Sequence, residues 1–99
     1  MKITKNMYYN DTVNSRELYL YATNTKEVWD RNLYFAYVNL EKKIKKGTFD
    51  REKAVEMFYH TATLASDLYY KNYGFKFSVT ERWTAAIDLR NDFCSEHGC

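Results

Sequence analysis

The stretch LEKKIKKGTFDREKA, residues 40–54, decides how this chain folds, because it crowds four lysines ahead of the first of only three glycines. Lys42, Lys43, Lys45 and Lys46 suit the last turns of a helix, where cations complement the negative end of the macrodipole and cover free carbonyls. Gly47 suits the left-handed position just past that end, and Asp50 is a good N-cap for a following helix. A loop built to grip phosphate would instead place glycines before a helix N-terminus, with backbone N–H groups exposed. The stretch therefore reads as the junction between two helices.

Working upstream, NTKE at 24–27 offers Asn24 as an N-cap with Glu27 reaching back, and the helix it opens runs to about Lys46. On a wheel of about 100° per residue, Trp29, Leu33, Ala36, Tyr37, Leu40 and Ile44 share one stripe, the width a surface helix turns toward a core. Val28 and Phe35 fall off that stripe and need another neighbour, inside the domain or outside it. Tyr34 is the adjoining outward aromatic. Further upstream a short helix is expected from Asn14 or Ser15 through RELYLYA, preceded by an irregular arm over 1–13.

Downstream of Asp50 the helical pattern continues to Tyr73. Its polar residues Glu52, Lys53, Glu56, His60, Thr63, Asp67 and Lys71 occupy a narrow arc, so most of its circumference is apolar and must touch at least two neighbours. Two long helices joined by so few residues predict an antiparallel hairpin. Ser78 and Glu81 then form an S-x-x-E capping box ahead of a last helix, whose expected buried stripe is Val79, Trp83, Ala86, Ile87, Phe93 and Cys94, with 95–99 as a frayed tail. The fold class is all-α: one domain over 1–99, a small helical bundle built on a long antiparallel hairpin with short N-terminal and C-terminal helices.

Composition limits the functions open to such a bundle. The 99 residues are 45% apolar, enough for one core. Ten Tyr, six Phe and two Trp exceed what that core absorbs. Some rings must therefore lie at the surface, where aromatics mark interfaces, and a partner or a second copy in a homodimer is expected. A formal charge of +2 is too small for an electrostatic footprint on nucleic acid. No continuous apolar run forms a signal peptide or a membrane span, so a cytoplasmic protein is expected.

Few residues carry a chemical signal. Cys94, His97 and Cys99 are three ligand types close together, but zinc sites draw a second pair from elsewhere in the chain and none exists here, so neither metal nor cofactor is implied. Glu56, His60 and Asp67 line one helical face without a neighbouring nucleophile, and no catalytic residue is assigned. Arg90 falls within the apolar stripe of the last helix, where an unpaired charge is costly. Either its stem packs while its head snorkels to water or to a carboxylate, or it anchors an interface. The candidate interaction residues are thus Val28, Tyr34, Phe35 and Arg90, with Lys42, Lys45 and Lys46 available to a nucleic acid.

Two blocks, RELYLYATN at 16–24 and NLEKKIKKGTFDREKAVEMF at 39–58, resemble a group of small bacteriophage proteins in which R-E-L and Y-A-x-N precede L-x-x-K-x-x-K-G-x-aromatic-D-x-x-K-A. That group has no established activity, so the resemblance transfers no site residue. It implies context: a phage accessory protein acting in the host bacterial cytoplasm on a host protein, with nucleic-acid binding or virion assembly as alternatives.

Overall fold

The computed structural model describes residues 11–99, and all regular structure among them is helical. Helix α1 spans Asp11–Asn24. A rod follows, made of α2 (Lys26–Val28), a π-helical turn (Trp29–Leu33) and α3 (Tyr34–Lys46). Helix α4 spans Arg51–Tyr73 and α5 spans Val79–His97. Of the arm expected over 1–13, residues 1–10 lie outside the described residues, and 11–13 belong to α1. The tail expected to fray at 95 is helical to His97, with Gly98 left-handed and the Cys99 N–H donating to the Cys94 carbonyl at 3.0 Å.

The helix junctions follow local chemistry. Gly47 has φ 74°, its N–H donates to the Ile44 carbonyl, and the Thr48 N–H donates to the Lys43 carbonyl at 2.9 Å. This crossed pair is the Schellman arrangement, which a residue with a Cβ adopts only under strain. Three residues later the Asp50 carboxylate accepts from the Glu52 and Lys53 N–H groups. The upstream cap differs from expectation. Asn24 ends α1, Thr25 holds the N-cap position without a side-chain bond, and Glu27 pairs with Arg31 rather than reaching back.

The most extensive packing joins α4 to α5 and α1 to α5, with α4 in the middle and the rod laid against them. Small residues make this possible. Ala22, Ala62, Ala65, Ala85 and Ala86 are fully buried, and short side chains let helix backbones approach closely while larger ones fill the ends. One core cluster holds Leu18, Val28, Tyr69 and Phe77 around Ala22, Ala62, Ala65 and Ala85, and a second holds Leu33, Leu40, Phe58, Leu89 and Phe93 with Ala86. The face that α5 buries is therefore Ala85, Ala86, Leu89, Phe93 and Cys94. Val79, Trp83 and Ile87, expected in its core stripe, are exposed instead. A wheel weighted by hydrophobicity follows the large side chains, whereas close approach selects the small ones.

The rod departs from a uniform wheel at its π-turn, where the Tyr34 N–H donates to the Trp29 carbonyl five residues back. One extra residue in a turn moves everything upstream around the axis. Val28 consequently occupies the inward position, fully buried, and Trp29 is turned out. Asn32, inside the turn, is held by a hydrogen bond from the buried Thr61 hydroxyl of α4.

The beginnings of α1 and α5 are locked by one carboxylate. The Ser78 hydroxyl accepts from the Glu81 N–H at 3.1 Å, and Glu81 Oε1 accepts from the Ser78 N–H at 2.7 Å. Its other oxygen, Oε2, accepts from Asn14 Nδ2 at 2.6 Å, and both side chains are buried. Glu81→Ala removes the side-chain half of the capping box and strands a buried amide donor, a loss of about 2–4 kcal/mol in urea unfolding. Glu81→Gln keeps the cap and lets Asn14 flip to present its oxygen. It should cost about 1 kcal/mol or less; equal midpoints for the two variants would show that this carboxylate locks nothing.

Candidate interaction surfaces

The π-turn and the first turn of α3 build the most exposed ring cluster. Trp29 is 40% exposed, Tyr34 48% and Phe35 55%. Their rings contact edge to face, with centroids 5.9 Å apart for Trp29 and Tyr34 and 5.4 Å for Tyr34 and Phe35. Trp29 also meets Tyr37 at 5.7 Å, and Tyr37 leads inward to Phe93 at 5.0 Å. The cluster is thus a ledge rooted in the core, not a row of loose side chains. Tyr34 and Phe35 were legible from the wheel. Trp29 was not, because the wheel placed it in the core. Val28, grouped with them in the sequence, belongs to the core and is withdrawn from any exposed surface.

Arg90 finds its partners within the chain. Its Nη1 donates to the Arg51 carbonyl at 3.0 Å and its Nε to Asn91 Oδ1 at 3.0 Å. Arg51 in turn donates to Asn91 Oδ1 and to the Cys99 carbonyl. The first residue of α4 and the last turns of α5 are stitched together here, which accounts for a cation on that face.

A second apolar strip, Val79, Trp83 and Ile87, runs along the outer face of α5 at helical spacing. Trp83 stacks on Tyr59 of α4 with centroids 3.9 Å apart, and the Arg82 guanidinium lies 5.6 Å from the Tyr59 ring centroid.

The lysines are all exposed on the closing turns of α3. Lys45 lies beside Glu41, Ile44 and His97 in a shallow recess. Lys42, Lys43 and Lys46 border a groove between α3 and the start of α4, and Lys53, Glu56 and His60 enter it from the other side. Sequence spacing alone gave no sign that Lys53 and His60 face the lysines of the preceding helix. Asp67, two further turns along, is exposed away from the groove.

Among the described residues, no three His, Cys, Asp or Glu side chains converge as a metal site requires. Cys94 is packed in the core. No helix among them is long and apolar enough to cross a membrane. No family model, curated protein or solved structure matches the chain.

His97 spans two acceptors. Its Nδ1 lies 2.8 Å from the Phe93 carbonyl and its Nε2 2.9 Å from Glu41 Oε2. Only the imidazolium donates through both nitrogens. The Glu41 hydrogen bond, then the bond to Phe93, raise the His97 pKa above its ordinary value, and the ring stacks on Phe93 at 4.0 Å. A raised folded-state pKa adds stability that is fully present below the unfolded value of about 6.5 and fades as pH rises through the higher folded value. Stability measured from pH 6 upward should therefore fall across that window in the native chain and lose this step in Glu41→Gln, with no difference between the two profiles as the contrary result.

Proposed function

We propose that this chain is a non-enzymatic binding protein that docks a host macromolecule, a protein, through the Trp29, Tyr34 and Phe35 ledge. The observation that carries this reading is the exposure of three touching rings on a stiff support, each at least two-fifths open to solvent. Aromatic side chains give much contact area for little conformational entropy, and an anchor already held in place costs less to immobilise on binding. The π-turn adds support, since such turns recur where helices serve a function rather than packing alone. The resemblance of residues 16–24 and 39–58 to bacteriophage proteins supports the reading of a phage accessory protein acting in a bacterial host.

A homodimer is part of the same proposal. The Val79, Trp83 and Ile87 strip is a second apolar surface on a different helix, so self-association and partner binding need not compete. The antiparallel hairpin of rod and α4 would then serve as the frame that separates the two surfaces. Ile87→Glu should shift the sedimenting mass from two copies to one; a monomer in the unmutated chain at tens of micromolar removes the dimer from the proposal.

For the ledge, the immobilised full chain should retain one host protein from bacterial lysate, identified by mass spectrometry. The double variant Tyr34→Ala, Phe35→Ala should retain at least about tenfold less while keeping the same helical circular dichroism. Equal retention by the variant, or turnover of a small molecule by the purified chain, contradicts this function.

A further inference from the structure

The groove between α3 and the start of α4 brings together charges from two successive helices. Lys42, Lys43 and Lys46 come down one side and Lys53 up the other. Its two adjoining parts measure about 470 and 360 Å³ and share Lys43, Thr48 and Met57. The larger part is of the size that seats small-molecule ligands and single anchoring side chains. Two carboxylates also border it. Asp50 is occupied as the N-cap of α4, accepting from the Glu52 and Lys53 N–H groups, which leaves Glu56 beside His60. Four lysines against Asp50 and Glu56 give the groove a formal excess of two positive charges, His60 left out of the count.

The floor is apolar. Leu40 and Ala54 close it from beneath, and the half-buried Met57 forms a wall. Methionine is unbranched and adaptable, and it accommodates apolar side chains of varied shape. No Phe, Tyr or Trp lines either part of the groove and His60 is the single ring there, so successive bases would find no run of stacking platforms. No arginine lines it either, so planar bidentate recognition of a phosphate is absent. Ammonium groups act as mobile point charges that accept carboxylates in varied positions.

From this combination of a lysine rim and a methionine-walled apolar floor, we propose that the groove binds an acidic amphipathic peptide segment of a partner protein. One apolar side chain of that segment seats against Leu40, Ala54 and Met57. Its flanking carboxylates meet Lys42, Lys43, Lys46 and Lys53. The groove shares no residue with the ring ledge, so it is a separate site that stands or falls independently of the ledge.

Fluorescence anisotropy on the full chain tests this with four labelled probes: a short Glu and Leu peptide of helical pattern, the same pattern with Lys for Glu, a single-stranded oligonucleotide and a duplex. The acidic peptide should bind, and its affinity should weaken several-fold as salt is raised. The pair Lys43→Glu, Lys53→Glu should weaken it about tenfold or more, and Met57→Glu should do likewise. Tyr34→Ala with Phe35→Ala should leave it unchanged. If the charge-reversed pair loses helical circular dichroism, Lys43→Gln alone replaces it and should weaken binding about threefold. Absence of peptide binding, equal binding of the basic peptide, or indifference to the lysine variants overturns the proposal. Tighter binding of either oligonucleotide also overturns it and makes the groove a nucleic-acid site.

Discussion

One extra residue in the turn Trp29–Leu33 determines which side chains of the rod face the core and which face water. In a uniform helix, Trp29 would point inward with Leu33 and Leu40, and Val28 would point out. The π-turn reverses the first pair while leaving the later positions in place. The reversal suits the packing, because Val28 joins the alanine-rich cluster where a tryptophan would not fit among closely spaced backbones. The hydrogen bond between Thr61 and Asn32 holds the turn from outside the rod. This register is what puts Trp29 at the surface beside Tyr34 and Phe35 in the ring ledge.

The second constraint is the closeness of α1, α4 and α5. Helices that touch through alanine gain little from each side chain's own area and much from dense contact between backbones and flanking groups. A polar group buried in such a core costs free energy unless it is paired. Glu81 satisfies this twice, capping its own helix and binding Asn14 of α1, while the Tyr19 hydroxyl donates to Asp92 further along the same pair of helices. That bond, followed by burial, pushes the Tyr19 pKa up to about 12, so the phenol remains a donor across the physiological range. Four large rings, Phe58, Tyr69, Phe77 and Phe93, are buried in the two clusters, while Trp29, Tyr34, Phe35 and Trp83 are left exposed on the outside.

What the sequence made legible follows from the range of the interactions involved. Gly47, Asp50 and the Ser78 and Glu81 box act within a few residues, so their chemistry is complete in the local string, and the junctions fall where that string puts them. The all-helical class follows from the same punctuation. The face of α5 was misread because Val79, Trp83 and Ile87 carry the hydrophobic weight while Ala85 and Ala86 carry the contact. The register of Trp29 was misread because the π-turn is held by Thr61, a residue 29 positions from Asn32. The cap at Asn24 failed for a related reason: α1 runs on to include that residue, which leaves Thr25 to begin the rod.

The lysines at the end of α3 show how one local feature serves two levels of structure. Within the rod they complement the macrodipole, and nothing beyond the helix is needed to explain four cations there. The Schellman turn at Gly47 and the cap at Asp50 then fold the chain back within a few residues, and α4 carries Lys53 up to face them. Like charges brought together across a groove repel, at a cost that water and salt keep small at the surface. Leu40 and Ala54 beneath them are already buried, but the half-buried Met57 gains nothing from that arrangement while it stays open to water. An anionic, partly apolar guest would relieve the repulsion and cover Met57 in one step, so the feature that terminates one helix also selects the chemistry of what the groove receives.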